Sequence, residues 1–292
     1  MKVLKLERVT IPIAIRYILL SALGFSLMST CVKAAAGYGI PVLEIIAARA
    51  SVSLLLSYLD VKRKRISIWG NSRRLLVARG TVGAAALVCI YYAVTTLPLA
   101  DATVLQYTHP AFTAVLALIF LGEAVKCSTL ACIALSFIGL IVMVRPGVSV
   151  AISGLPPLSL AAALAGALGS AIAYVLVRRL SQTEDSSVII FYFPLIALPL
   201  SLLLLGKNFV VPEFEAFVLL LMVGVFTQVG QVGLTKAIAA EAAGKVTSYS
   251  YVQVIFSALL GAIFFAEVPT LWTLAGGTLI ISGALVNALW KA

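Results

Sequence analysis

Charge is scarce in this sequence. Asp, Glu, Lys and Arg make up 11% of its 292 residues, whereas soluble domains carry about 25%. A water-soluble fold must cover its core with polar surface, and there is too little here to do so. Acids are fewer than bases, 11 against 21. Histidine occurs once, at His109. A lone histidine with no HExxH leaves no carboxylate/histidine metal set and no second histidine for a nucleophile–base pair, which argues against an intramembrane enzyme. The four cysteines, Cys31, Cys89, Cys127 and Cys132, show no CxxC spacing and lie in or beside apolar stretches. They read as small helix-packing residues rather than metal ligands or disulfides. No linker is long enough to hold a soluble domain, and nothing calls for a cofactor.

Apolar residues fill the space that charge leaves. They reach 62% of the chain, and the mean hydropathy is +1.12. A membrane-spanning helix needs about 20 mostly apolar residues. Ten segments qualify: 13–33, 41–60, 75–97, 100–121, 127–145, 157–177, 187–206, 215–238, 244–266 and 271–290. The expected fold is therefore an all-α integral membrane protein with ten transmembrane helices. The first segment follows a basic N-terminus and could be read as a signal peptide ending near Ala34-Ala35-Ala36. Its length, and the repeat described next, favour a retained span.

Lys and Arg collect on one face. With a cytoplasmic N-terminus, 17 of them fall on the cytoplasmic side, three (Lys33, Arg145, Lys207) on the other, and Arg49 within a span. Arg79 is counted with the cytoplasmic group. This bias predicts that both termini are cytoplasmic. The run Lys62-Arg63-Lys64-Arg65 reads as an orientation signal against lipid headgroups rather than a nucleic-acid site.

The sequence repeats itself. A shift of 144 lays residues 79–143 on 223–287 without a gap, pairing Gly80 with Gly224, Tyr107 with Tyr251, Phe112 with Phe256, Glu123 with Glu267, Thr129 with Thr273 and Gly139 with Gly283. A shift of 145 pairs Gly24 with Gly169 and Lys33 with Arg178. Residues 1–147 and 148–292 are thus expected to form two five-helix repeats. Because five is odd, the second must be inverted relative to the first. Such inverted repeats are a design of secondary carriers.

Polar groups inside spans are costly, and so are candidates for function. Gln106, His109 and Thr113 share one face of the fourth span, and Ser250, Gln253 and Ser257 hold the same register on the ninth. A neighbouring stripe holds Thr103 and Tyr107 on one copy, Thr247 and Tyr251 on the other. Gln228 and Gln231 add to it from the eighth span. The expected substrate-binding set is Gln106, His109, Thr103, Tyr107, Gln228, Gln231, Ser250, Tyr251 and Gln253; the competing role is interhelical hydrogen bonding, worth about 0.6 kcal/mol per contact. His109 could also couple transport to protons. Pro110, in mid-span, should kink the helix and free a carbonyl for a solute or a neighbour. Arg49 and Glu44 on the second span, with Pro110, Glu123 and Glu267, form the expected structural or gating set. Glu123 and Glu267 act either in helix-end electrostatics or as gates on opposite faces.

These residues carry a resemblance. Leu97-Pro98-Leu99-Ala100-Asp101-Ala102-Thr103, His109-Pro110-Ala111-Phe112, Leu121-Gly122-Glu123, Gly139-Leu140 and Arg145-Pro146, with Ala266-Glu267 and Gly283 in the second copy, resemble the drug/metabolite transporter superfamily and its EamA-type, ten-span members. The second copy departs from the pattern, with Glu241 in place of Leu97 and Val254 in place of Pro110. The resemblance implies carriage of a small metabolite across an inner (plasma) membrane, often outward. Uncharged stripes point to a neutral or zwitterionic solute such as an amino acid. Uptake of a nucleotide-related metabolite, and a passive channel, stay open as alternatives. Expected partners are the solute, the lipid bilayer and a proton or counter-solute, with no nucleic acid, in a monomer or homodimer.

Overall fold

The computed structural model describes residues 12–96, 105–144, 156–266 and 270–290. Within them the chain is helical. In lipid an unpaired backbone amide has no water to turn to, and a helix satisfies every one internally. The helices are α1 (Ile13–Gly37), α2 (Val42–Arg63), α3 (Arg73–Thr96), α4 (His109–Leu121), α5 (Cys127–Val144), α6 (Pro157–Leu180), α7 (Ser186–Leu205) and α8 (Phe214–Ala240). Then follow α9 (Ala243–Ser248), a 3-10 turn (Tyr249–Tyr251), α10 (Val252–Phe265) and α11 (Leu271–Leu289). Helix ends follow local chemistry. Pro41 and Pro156 precede α2 and α6, where a missing N–H costs nothing. Asp185 caps α7 by accepting from the Ser187 amide at 2.8 Å.

Among the described residues, seven helices are long and apolar enough to cross a membrane: α1, α2, α3, α6, α7, α8 and the segment Ala243–Phe265. His109–Leu121, Cys127–Val142 and Leu274–Leu289 are shorter apolar helices. The burial pattern is that of a membrane protein. Large apolar side chains such as Leu203, Phe214, Ile263 and Leu271 point outward, while Ser21, Ser26, Ser57, Thr113 and Thr247 are buried.

The two halves do not sit side by side as separate bodies. The most extensive packing joins α1 to α8, α5 to α11, α3 to α6 and α2 to α7, and each pair takes one helix from either half. Exchanging α1, α2, α3 and α5 with α6, α7, α8 and α11 maps this pairing onto itself. The partners run antiparallel. Lys64, at the end of α2, meets Asp185 at the start of α7 (2.8 Å), while Glu44 at the start of α2 accepts from the Val210 amide beyond the end of α7 (3.0 Å).

Glycines set the close crossings. A Cβ on Gly24 would lie 2.8 Å from the Gly230 backbone nitrogen on α8, and one on Gly139 would lie 2.6 Å from the Gly276 carbonyl on α11. Small residues let membrane helices approach this closely.

Candidate functional site

A cavity of about 190 Å³ lies at the centre of the bundle. α1, α2, α3, α6, α7 and α8 all contribute to its wall, together with the breaks that precede α4 and α10. Of the residues singled out from sequence, Gln106, Tyr107, His109, Gln231, Ser250, Gln253 and Arg49 line it, as does Thr247. Thr103 and Glu267 lie outside the described residues.

The two breaks have a shared origin. Residues 107 and 108 form a turn, and α4 starts at His109 with Pro110 in its first turn. Pro110 therefore does not kink the middle of a helix. It opens one, where its missing N–H would be unpaired anyway. The carbonyl freed by the break goes to a neighbour: Tyr251 donates its hydroxyl to the Tyr107 carbonyl at 2.8 Å. The two rings stack at 5.5 Å. In the second copy, Val254 stands where Pro110 does in the first, yet the chain still leaves α-geometry, through the 3-10 turn Tyr249–Tyr251. Both copies thus place polar side chains around a broken helix. Tyr251 is 1% exposed and acts as a brace between the breaks rather than as part of the wall.

Gln228 is also displaced from its expected role. Its amide donates to Ser57 Oγ on α2 at 2.9 Å, away from the cavity. α8 packs against α2 as well as lining the cavity, and Gln228, although three residues from Gln231 and on a neighbouring part of the same face, lies on the edge that meets α2. Glu44 does not pair with Arg49, because it holds the loop before α8.

Among the lining residues that were not expected, Arg79 and Tyr174 bring large side chains with polar groups. Arg79, counted with the cytoplasmic charges, stands on α3 with its side chain in the cavity wall and only 4% exposed. It lies inside the helix, not at its start. Its repeat equivalent Val223 sits within an apolar span, a register that already placed Arg79 in the membrane. Tyr174 on α6 packs edge-on against His109 at 5.5 Å.

Arg79 donates from Nη2 to Gln231 Oε1 at 3.4 Å, while its Nε and Nη1 have no hydrogen-bond partner. Among the described residues Arg49 donates only to the Met28 sulfur, at 3.9 Å. Both guanidinium groups lie over the ring of Phe193, at 5.7 Å for Arg49 and 5.0 Å for Arg79. Among the described residues no carboxylate pairs with either. His109 Nδ1 is likewise buried without a partner. Among the described residues no group of three His, Cys, Asp or Glu could hold a metal ion.

Beyond one end of the cavity, four chain segments meet at Glu123 and Arg178. Arg178 Nε donates to Glu123 Oε1 at 2.6 Å. Arg178 Nη1 also donates to the Ile238 and Ala239 carbonyls that end α8 (3.0 and 2.9 Å). Glu123 Oε2 accepts from the Ala243 amide that starts α9 (2.8 Å). Each charge thus faces the helix end that attracts it, and one ion pair ties α4, α6, α8 and α9 together.

A family model for the EamA-like transporter family matches residues 12–145 and again residues 157–289. The chain belongs to the EamA-like transporter family. It is 33% identical over 273 residues to the pseudopaline exporter CntI of Pseudomonas aeruginosa, covering 93% of this chain and 94% of that protein. It is 30% identical over 292 residues to human solute carrier family 35 member G1, covering 94% of this chain and 78% of that one. A solved crystal structure at 17% identity matches with a TM-score of 0.79 over 92% of this chain and 96% of that chain, which shows a shared fold. This EamA-like chain is an integral membrane protein of a transporter family.

Proposed function

We propose that this protein is a secondary carrier that moves a small organic solute outward through the central cavity by alternating access. The observation that carries the reading is the position of the cavity: it lies at the seam where both halves meet, and both supply its polar wall. The symmetric, antiparallel helix pairing supports an inverted repeat of five spans, with 1–147 and 148–292 as its two copies and the shorter helices completing ten spans. The Lys and Arg bias supports cytoplasmic termini. In that orientation the Glu123–Arg178 junction closes the cytoplasmic end, and parting it would open the cavity inward. Export is favoured by the relative named as an exporter. A proton or a counter-solute would drive it.

The cargo expected from uncharged stripes was neutral or zwitterionic. Arg49 and Arg79 on the wall favour one that bears an acidic group, which an amino acid supplies through its carboxylate.

Reconstitution in proteoliposomes tests the carrier. A thermal-shift screen of metabolites supplies the solute, and flux is then followed with labelled solute. Saturable flux with counterflow is expected. Gln106→Ala and Gln253→Ala should each lower it about tenfold, the loss of one hydrogen bond of about 1.4 kcal/mol, at unchanged membrane abundance. Gln228→Ala, away from the cavity, should leave flux within about twofold. Conductance without saturation would make the protein a channel, and normal flux in both cavity variants would remove this wall as the binding site.

A further inference from the structure

Two buried positive charges face the cavity, and among the described residues no carboxylate pairs with them. An arginine cannot practically lose its proton. Holding one inside a membrane span without a partner is costly, roughly 2.5–3.5 kcal/mol at a helix centre even on insertion scales. Helix packing does not explain them, since neither guanidinium caps a helix end or pairs with a described carboxylate. Arg79 keeps two donor nitrogens unused in a site that is 4% exposed. Arg49, 7% exposed, makes a single weak contact to sulfur. Both groups lie over the one Phe193 ring, at 5.7 and 5.0 Å from its centre, so they border the same stretch of cavity wall despite their like charge.

Resting on the carrier reading, we propose that the cargo is a small organic dianion whose oxyanion groups, carboxylate or phosphate, are taken by Arg49 and Arg79. A guanidinium presents a planar fork of donors that matches either oxyanion in a two-bond contact. Two such groups call for two negative charges, and a dianion makes the loaded cavity neutral. The Tyr174 and Phe193 rings offer apolar faces for the carbon body, and Gln231 and Gln253 offer amides for its remaining polar groups. A cationic cargo meets the opposite field, because the described lining holds no carboxylate.

The test is a thermal-shift titration of the purified full chain with succinate, citrate, inorganic phosphate, glycerol 3-phosphate, succinamide and tetraethylammonium. Saturable stabilisation is expected with the anions and none with the last two. Response to the carboxylates alone, or to the phosphates alone, supports the dianion site and names its oxyanion. Arg49→Gln and Arg79→Gln should each weaken the anion response at least tenfold. Both variants should fold, because each removes an uncompensated buried charge. Arg79→Lys, which keeps the charge but loses the fork, should fall between. The proposal is overturned by succinamide acting like succinate, by no anion acting, or by either Gln variant responding as the native protein does. Should a variant not fold, the contrast of succinate with succinamide on the native chain decides. Anion binding without saturable flux would remove the carrier reading and leave the site. Saturable flux of an uncharged solute, unchanged in both Gln variants, would do the reverse.

Discussion

The two copies build the cavity from equivalent positions with different chemistry. On α3 the register positions are Arg79, Gly83, Leu87 and Ile90, and on α8 they are Val223, Thr227, Gln231 and Leu234. The first copy sets Arg79 and Leu87 on the wall. In the second copy, Gln231 takes the wall position of Leu87, and Val223 is buried in an apolar cluster with Ile45 and Leu220. Arg49 has Pro194 as its counterpart at a shift of 145. Both cavity arginines therefore come from the first copy, and the second answers with amides and rings. The crossings behave in the opposite way. Gly80 and Gly224 each pack against the other half's second span, and Gly139 and Gly283 cross at the same α5–α11 seam. The skeleton, which both copies need in order to interlock, is kept between them, and the lining has diverged.

The strongest way to break this comparison is at the α5–α11 crossing. A Cβ at Gly139 would stand 2.6 Å from a backbone carbonyl, which cannot rotate away. At Gly283 the nearest atoms, the Cys132 carbonyl and Ser136 Oγ, are 3.1 Å off. Gly139→Ala should cost about 2–3 kcal/mol by overpacking, and Gly283→Ala about 1 kcal/mol. The melting temperature of each purified variant measures this. Equal losses would mean that the copies share the seam more evenly than these distances imply.

Much of this skeleton was legible in the sequence because helix length, hydropathy and the 144-residue register all reflect backbone needs. The cavity was legible in part. Gln106, His109 and Gln253 were found because polar groups in a span stand out against lipid. Gln228 was overread, because spacing groups residues on a face without saying what that face meets. Arg79 was missed because it follows Arg73 and Arg74 closely and joined their charge run. Its register opposite Val223, in an apolar span, was the signal that should have separated it. Tyr174 gave no signal, since a tyrosine in a span suits lipid, packing or solute alike. Glu123 was singled out at a helix end, but its partners Arg178 and Ala243 are 55 and 120 residues away, beyond the reach of local pattern.

A second contrast lies at the ends of α4 and α10. Gly122 ends α4 with φ of 66°, and its equivalent Ala266 ends α10 with φ of 53°. Only glycine enters this region without a steric cost, which for alanine is about 1–2 kcal/mol. Part of any gain from glycine is returned through its freer unfolded chain. Ala266→Gly should therefore raise stability by about 0.5–1 kcal/mol and Gly122→Ala should lower it by about 1 kcal/mol. Thermal melts that moved the same way for both would show that the two ends are not equivalent.

The smallest effect expected is at the α2–α7 seam, where the two ends differ in charge. One end holds Glu44 against the Val210 amide. The other holds Lys64 between Asp60 and Asp185, with Ser187 donating to Asp60. Partial burial pushes the Asp185 carboxyl up, but Lys64 and the Ser187 amide outweigh it and hold it below the ordinary carboxylate range. Lys64 is held above its ordinary value, its own burial outweighed by the two carboxylates. A depressed carboxylate contributes stability that is present above its unfolded pKa, near 3.9, and is lost as pH falls through the folded value. A raised lysine contributes stability that is present below about 10.4 and is lost as pH rises beyond it. The pair should therefore act evenly across neutral pH and fade only at the extremes. Asp185 is 40% exposed and Lys64 32%, so solvent screening keeps the effect to roughly 0–1 kcal/mol. Asp185→Asn isolates it, because asparagine still caps α7. Its melting temperature should sit slightly below that of the native protein at pH 7, and the gap should close as pH falls below the ordinary carboxylate range and the native carboxyl takes up its proton. A gap that widened in acid would mean that Asp185 acts through its cap and not through Lys64.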